Sequence, residues 1–243
     1  MTGLLQRSLP YDPLVPRPLP GIAPLRMQDW LIRDEVFAGQ MAWREELLAD
    51  RRAEVLALDE AARLAAEELL DLVLSLAYPG AGAHVTRPDG VNVTIDRSDP
   101  MGTLGRLVQE DLCLLQKQGE EHVLTGAVLC FPASWLLAEK YLRPLVGIHE
   151  PVASYDGGIA KRVQRLFDGV QPERPLWRFN ALWYADPELH QPRSAAARRE
   201  TPEAMAADYL RSERQCILRL PQTGAVVFSI HTYVLARADV AQT

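Results

Sequence analysis

His149 is the histidine of this chain whose surroundings best suit a metal or cofactor ligand. An apolar stretch with a basic edge precedes it, and Pro151 follows two residues later. The pattern predicts a helix over residues 134–146 that stops at Gly147 and leaves His149 in a rigid loop. An imidazole held in this way could bind a metal. A structural histidine with satisfied hydrogen bonds is the commoner alternative, and spacing alone leaves both open.

The other four histidines lie in less informative surroundings. His84 and His190 are in polar stretches and are predicted to be surface residues, and His122 is predicted to be exposed at a hairpin. His231 lies in the last predicted strand, where alternation allows its side chain to face either a cavity or the solvent.

A predicted strand over residues 177–184 carries a second group of polar side chains. Its two-residue period places Arg178 and Asn180 on one face, together with Tyr184. If that face is buried, both polar side chains need partners, because unpaired burial is costly. A cofactor propionate would meet this need, and an ion pair with Glu110 or Glu213 would meet it equally well.

The residues that enter the last hairpin are strongly charged. Glu213 and Arg214 are neighbours in the strand that this hairpin begins, so their side chains point to opposite faces. One of them could therefore be directed inward, and an exposed junction between helix and strand is the alternative.

Several kinds of active site have no motif in this chain. There is no glycine-rich dinucleotide or phosphate loop, no Gly-x-Ser-x-Gly, and no His-Glu-x-x-His. Cys-x-x-Cys and the Cys-x-x-Cys-His attachment of a c-type haem are also missing. Any haem would therefore have to bind without a covalent link.

Composition narrows the class of protein further. The chain has 243 residues, 48% of them hydrophobic, and a formal net charge of −6, which argues against nucleic-acid binding. No apolar run predicts a membrane span or a secretory signal. The three cysteines are scattered among apolar residues, which is typical of buried thiols in a reducing compartment. We therefore expect a soluble cytoplasmic protein.

The order of predicted elements favours an α+β fold. A proline-rich arm and helices occupy residues 1–80, and residues 81–243 alternate between strands and helices, so we expect these two parts to form one compact unit. Two hairpins predict an antiparallel sheet of five or six strands with helices over one face. A cavity between these layers could hold a planar cofactor.

Several short segments, taken in order, resemble one family across nearly the whole chain. Phe131-Pro-Ala-Ser-Trp135 and Arg178-Phe-Asn180 are among them, and the most specific are Ile148-His149-Glu-Pro151-Val152 and Leu210-Arg211-x-Glu213-Arg214-Gln215. Together they resemble the haem-dependent oxidative N-demethylases, which include the haem oxygenase subunit of dimethylamine monooxygenase.

The resemblance implies a PAS-like fold that binds haem b, with His149 matching the position of the axial ligand of the iron. It implies an oxygenase that uses O₂ to remove a methyl group from an amine as formaldehyde. Electrons would come from a flavin and iron–sulfur reductase. The cofactor would perform the oxidation while the protein positions amine and oxygen. A haem sensor without turnover, or a scaffold without haem, would be the alternatives.

Strand parity and charge suggest the remaining roles. Lys140, Arg178 and Arg214 are candidates to bind the cofactor beside His149. The candidates on the substrate side are Asn180, Tyr184, Glu213 and His231. Ala181 and His231 depart from the family pattern, which has tryptophan and arginine there, so the substrate could be a different and larger amine.

Overall fold

The computed structural model describes residues 4–15, 21–149, 157–194, 197 and 207–240, with the backbone alone at 149 and 157–160. The helices are α1 (Phe37–Asp50), α2 (Arg52–Val55), α3 (Arg63–Ala77), α4 (Pro100–Leu107), α5 (Leu137–Lys140), α6 (Leu145–His149), α7 (Gly157–Gly169) and α8 (Arg237–Val240). The strands are β1 (Ala23–Pro24), β2 (Leu56–Leu58), β3 (His84–Thr86), β4 (Asn92–Thr94), β5 (Asp111–Gln118), β6 (Glu121–Val128), β7 (Leu176–Tyr184), β8 (Tyr209–Arg219) and β9 (Val226–Ala236). Among these residues, no helix has the length and apolarity that a membrane crossing requires.

The described residues form one large antiparallel sheet with the strand order β1-β7-β8-β9-β5-β6-β2, which confirms the predicted α+β class. Strands β3 and β4 form a separate two-stranded sheet. The large sheet has seven strands, against the five or six predicted, because two short segments from the first 80 residues pair with its edges. Ala23 pairs with Trp177 at one edge and Leu56 with Val128 at the other.

Both faces of the large sheet are buried, so the predicted covering of one face alone is wrong. Along β5, Leu112 and Leu114 pack into the core formed with helices α1, α3 and α4. Cys113 and Leu115 alternate with these two residues along the strand, and they pack into a second core with residues of α5, α6 and α7. Strict alternation along a strand therefore separates the two cores.

The polypeptide that precedes His149 forms two short helices, and the single helix predicted for residues 134–146 is wrong. Helix α5 ends at Lys140 and α6 begins at Leu145. Pro144 has no backbone N–H and disfavours helical geometry in the residue before it. Leu142 has a φ of 59°, which is outside the range of a right-handed helix. His149 is the last residue of α6, and is not in the loop that the sequence predicted.

The proline-rich arm lies partly against the sheet. Gln6 and Leu9 are buried, and Gln6 exchanges backbone and side-chain hydrogen bonds with Val234 of β9. Thr201-Pro202-Glu203 predicts a helix start, with threonine as the cap and proline at the first helical position, but this segment lies outside the described residues.

Candidate functional site

A cavity of about 390 Å³ lies between the large sheet and the layer of helices α6 and α7. Its floor is formed by apolar side chains of β5, β8 and β9, among them Leu115, Ile217 and Phe228. Leu145 and Ile148 of α6 close it from above, beside three residues of α7. The cavity has the size and the mainly apolar lining of a small-molecule or cofactor site.

A hydrogen-bonded polar group interrupts the apolar lining on the side of β7 and β8. Asn180 Nδ2 donates to Glu213 Oε2 at 3.1 Å, and Gln215 Nε2 donates to the same oxygen at 3.2 Å. The backbone N–H of Glu213 donates back to Asn180 Oδ1 at 3.2 Å. The other carboxylate oxygen, Glu213 Oε1, lies 3.7 Å from Arg211 Nε, and this distance is too long for a hydrogen bond. This oxygen therefore accepts no hydrogen bond from the described residues, although it is ion-paired with the buried guanidinium of Arg211.

Arg178 lines the same cavity and has no comparable partner. Its Nε is buried and makes no hydrogen bond with the described residues. Burial lowers the pKa of the guanidinium, although the charge of Glu213 acts in the opposite direction. Of the two residues that β7 was predicted to direct inward, Asn180 pairs with Glu213, whereas Arg178 is available for an anionic group.

Lys140 completes the charged groups around the cavity. Its Nζ donates to the backbone carbonyl of Ile148 at 2.8 Å and lies 5.0 Å from the centre of the Trp135 ring. Ile148 lines the cavity, and His149 is the next residue along the backbone. The side chain of His149 is outside the described part of the structure.

Arg214 lies on the opposite face of the sheet from the cavity. Its guanidinium donates to the carbonyl oxygens of Trp30 and Asp29 at 2.9 and 2.6 Å and packs over the ring of Trp177. The expectation that Glu213 and Arg214 point to opposite faces is confirmed, and Glu213 is the one at the cavity.

His231 also faces away from the cavity, into the core beneath the N-terminal segments. Its Nδ1 lies 3.2 Å from Glu110 Oε1 and its Nε2 lies 3.1 Å from Asp34 Oδ2. Burial alone would lower the pKa of the imidazole, but these two carboxylates raise it to about 9. The ring is therefore a buried imidazolium that joins β9 to the residues before α1 and β5.

Tyr184 and Ala181 do not line the cavity. Tyr184 is buried at the end of β7, with the guanidinium of Arg211 5.9 Å from its ring centre. Ala181 packs in the small core around Leu9 and Tyr233. The two departures from the family pattern, Ala181 and His231, are thus both on the far face of the sheet.

Two histidines that were predicted to be exposed are buried. His122 lies under α7, where Gln164 Nε2 is 2.8 Å from its Nδ1, and His190 Nδ1 is 2.7 Å from the carbonyl of Cys130. His84 is exposed, as predicted. Among the described residues, no three His, Cys, Asp or Glu side chains form a metal-binding group.

Among the amide, thiol and charged side chains that line the cavity, two were missed from the sequence. Gln215 is two residues after Glu213, so the same strand period that selected Glu213 also predicts it. Cys113 lines the cavity from β5, where the sequence indicated only a buried thiol.

A mainly apolar cavity with a few fixed charged groups defines a class of protein that binds a small molecule or a cofactor. The chain belongs to a more specific group within that class. A family model described as haem-dependent oxidative N-demethylase, alpha subunit-like, matches residues 21–243, and the chain is a member of that family. The first 20 residues lie outside the match.

The residues around the cavity fit the cofactor that the family description names. Haem combines a large apolar ring system with two carboxylates, and the lining is apolar except for a few polar groups. Arg178, with its buried and unpartnered Nε, is suited to a carboxylate of this kind.

Proposed function

We propose that this chain is a haem b-dependent oxygenase with a PAS-like fold, which removes a methyl group from a secondary or tertiary amine as formaldehyde. The family match supports a haem-dependent oxidative demethylation. The observation that carries the proposal for this chain is the apolar cavity with Arg178 unpaired at its polar side.

His149 is the proposed axial ligand of the haem iron. It ends α6, whose Leu145 and Ile148 line the cavity, so the backbone of His149 directly follows a cavity residue. Arg178 is the proposed partner of a propionate, because a bidentate guanidinium matches a carboxylate in geometry and charge.

Glu213 is the proposed binding group for the amine. Its Oε2 accepts hydrogen bonds from Asn180 and Gln215, which fixes the carboxylate, and its Oε1 can accept an N–H of the substrate. The apolar lining screens charges poorly, so an ammonium group can pair with this carboxylate at closer range than Arg211, whose Nε is 3.7 Å from Oε1. Asn180 and Gln215 therefore orient the anchor, and Glu213 holds the amine.

Haem supplies, when bound, the one-electron and O₂ chemistry that amino-acid side chains lack. Removal of the methyl group consumes O₂, electrons and protons and releases formaldehyde and water. We propose that a flavin and iron–sulfur reductase supplies the electrons. Arg214, His231 and Tyr184 have no role in this scheme beyond holding the sheet and its N-terminal segments together.

The test is turnover by the haem-loaded protein. Purified protein would be titrated with haem, its Soret absorption recorded, and secondary and tertiary amines screened for formaldehyde release with an iron–sulfur reductase and NAD(P)H. We expect a Soret band and amine-dependent formaldehyde formation. Haem binding without amine-dependent NAD(P)H consumption would instead indicate a sensor, and absence of a Soret band would contradict the proposal entirely.

A further inference from the structure

Lys140 uses its ammonium group in an unusual way for a lysine beside a cavity. Its Nζ donates to a backbone carbonyl, that of Ile148, at 2.8 Å, and it has no ion pair with a described residue. The ring of Trp135 lies 5.0 Å away and provides a cation–π contact. Burial lowers the pKa of Lys140, although Glu139 and Cys113 act against this effect. A cation withdrawn from water needs compensation, and here the Ile148 carbonyl and the indole ring provide it.

This hydrogen bond closes the turn between the two short helices. Helix α5 ends at Lys140 itself, and α6 has only five residues, Leu145–His149. The last carbonyls of a helix have no partner within it, and a cation near them is favourable. In so short a helix, an external donor at Ile148 fixes the position of its end.

The Ile148 carbonyl is directly linked to the position of His149. The peptide unit is planar, so the carbonyl carbon and oxygen of Ile148 lie in one plane with the nitrogen and Cα of His149. A donor that holds this oxygen therefore also holds the Cα from which the imidazole extends. Ligands of metals depend strongly on such outer contacts for their orientation.

We propose that Lys140 is a positioning residue, which fixes the backbone of His149 through the Ile148 carbonyl and does not bind a haem propionate. The proposal rests on the proposed function, in which His149 is the axial ligand. It differs from the sequence-based expectation, which grouped Lys140 with the cofactor-binding residues. Arg178, by contrast, keeps the role of propionate partner.

The two roles can be separated with a haem whose propionates are blocked. Transfer of haem from the protein to excess apomyoglobin would be followed for haem b and for its dimethyl ester. The variants are Lys140→Met, which removes the donor and keeps the aliphatic stem, and Lys140→Arg, which keeps a donor. Arg178→Met serves as the contrast, and Lys117→Met, at an exposed ion pair with Asp168, serves as the control.

We expect Lys140→Met to accelerate haem loss by about tenfold or more, the range found for outer contacts of metal ligands. Loss of the dimethyl ester should be accelerated by the same factor as loss of haem b, because the hydrogen bond to the Ile148 carbonyl does not involve a propionate. Lys140→Arg should restore most of the retention. The effect of Arg178→Met should be present with haem b and absent with the ester.

Two results would overturn the proposal. One is an effect of Lys140→Met that disappears with the dimethyl ester, since this would assign Lys140 to a propionate. The other is haem retention by Lys140→Met equal to that of the wild type and Lys117→Met. If Lys140→Met folds poorly without haem, Lys140→Leu, which also removes the donor, replaces it in the same comparison.

A spectroscopic measurement separates positioning from general stability. The iron–histidine stretching band of the reduced haem protein should shift or broaden in Lys140→Met and stay unchanged in Lys117→Met. If His149→Ala retains haem as the wild type does, the proposed ligand is wrong. If His149→Ala loses haem and Lys140→Met shows neither faster loss nor an altered band, only the role of Lys140 is wrong.

Discussion

Asn180 and Glu213 face each other across strands β7 and β8 and are joined by two hydrogen bonds, of 3.1 and 3.2 Å. One runs from the asparagine amide to Glu213 Oε2, and the other from the Glu213 backbone to the asparagine oxygen. The carboxylate is thereby held at the cavity wall with Oε1 free of hydrogen bonds. This arrangement makes Glu213 the residue on which amine binding is expected to depend.

Glu213→Gln keeps the shape of the side chain and removes its charge. Hydrogen bonds to charged groups contribute about 1.5–3 kcal/mol, so we expect amine affinity to fall by about tenfold or more. Haem uptake should be unchanged, because Glu213 is not assigned to the cofactor. The measurement is the amine-induced change in the Soret spectrum of the haem-loaded protein.

Glu120→Gln, at an exposed glutamate of the β5–β6 hairpin, is the matched control for this change. It removes the same charge from the whole protein and should leave amine affinity as it is. Equal affinities in the wild type and Glu213→Gln would contradict the role given to Glu213.

The raised pKa of His231 predicts that the folded protein loses stability at alkaline pH. Its pKa is raised in the folded state to about 9, against about 6.5 in an unfolded chain. The stabilisation is therefore complete below about pH 6.5 and is lost as the pH rises through about 9, with a size on the order of 3 kcal/mol. Urea unfolding of the wild type and His231→Gln should show a larger difference at about pH 6 than at about pH 10. A difference that is constant across this range would show that the ring is neutral in the folded protein.

Asp111 holds the start of β5 to the segment that leads into the cavity helices. It accepts a hydrogen bond from Arg44 at 2.7 Å and two from the backbone of Cys130 and Phe131. Both charged side chains are buried, so Asp111→Ala should cost about 3–5 kcal/mol of unfolding free energy, because Arg44 loses its counter-charge. Asp71→Ala, which breaks the exposed pair with Arg97, should cost about 0–1 kcal/mol. Similar losses in the two variants would contradict this account.

Gly105 allows helix α4 to lie close to the sheet. A Cβ at this position would be 2.7 Å from a methyl carbon of Val128 and 2.9 Å from one of Leu48. Gly105→Ala should therefore destabilise the protein by about 1–3 kcal/mol in thermal or urea unfolding, since the core must shift to admit the methyl group. Gly169→Ala, where a Cβ meets nothing within 4 Å, should be tolerated. Equal stability of the two variants would show that α4 can move freely.

The long strands were predictable because alternation and turns both indicate them. The sequence predicts strands over residues 211–220 and 225–235 with a turn at Pro221 to Gly224 between them, and β8 and β9 match these bounds within two residues. Alternation also correctly placed Arg178 and Asn180 on one face, and Glu213 and Arg214 on opposite faces. Alternation alone does not show which face of the sheet holds the cavity, because the side chain of His231 obeys the same two-residue period on the opposite face. That choice depends on where distant helices pack.

The parts that were not predicted depend on contacts between distant segments. Strands β1 and β2 have two and three residues, too few for a periodic pattern, and they exist because an edge of the sheet is available to them. The burial of His122 depends on α7, which follows it by some 40 residues, as the hydrogen bond with Gln164 shows. The break between α5 and α6 could have been predicted, since Pro144 is a local signal.

Iron ligation by His149 is the central claim, and rescue of His149→Ala by free imidazole tests it most directly. The experiment compares the Soret and electron paramagnetic resonance spectra of haem-loaded wild type, His149→Ala, and His84→Ala as an exposed-histidine control. We predict a histidine-ligated spectrum for the wild type and His84→Ala. We predict its loss in a folded His149→Ala, and its return when imidazole is added. A His149→Ala protein that keeps the wild-type haem spectrum without imidazole would contradict the claim.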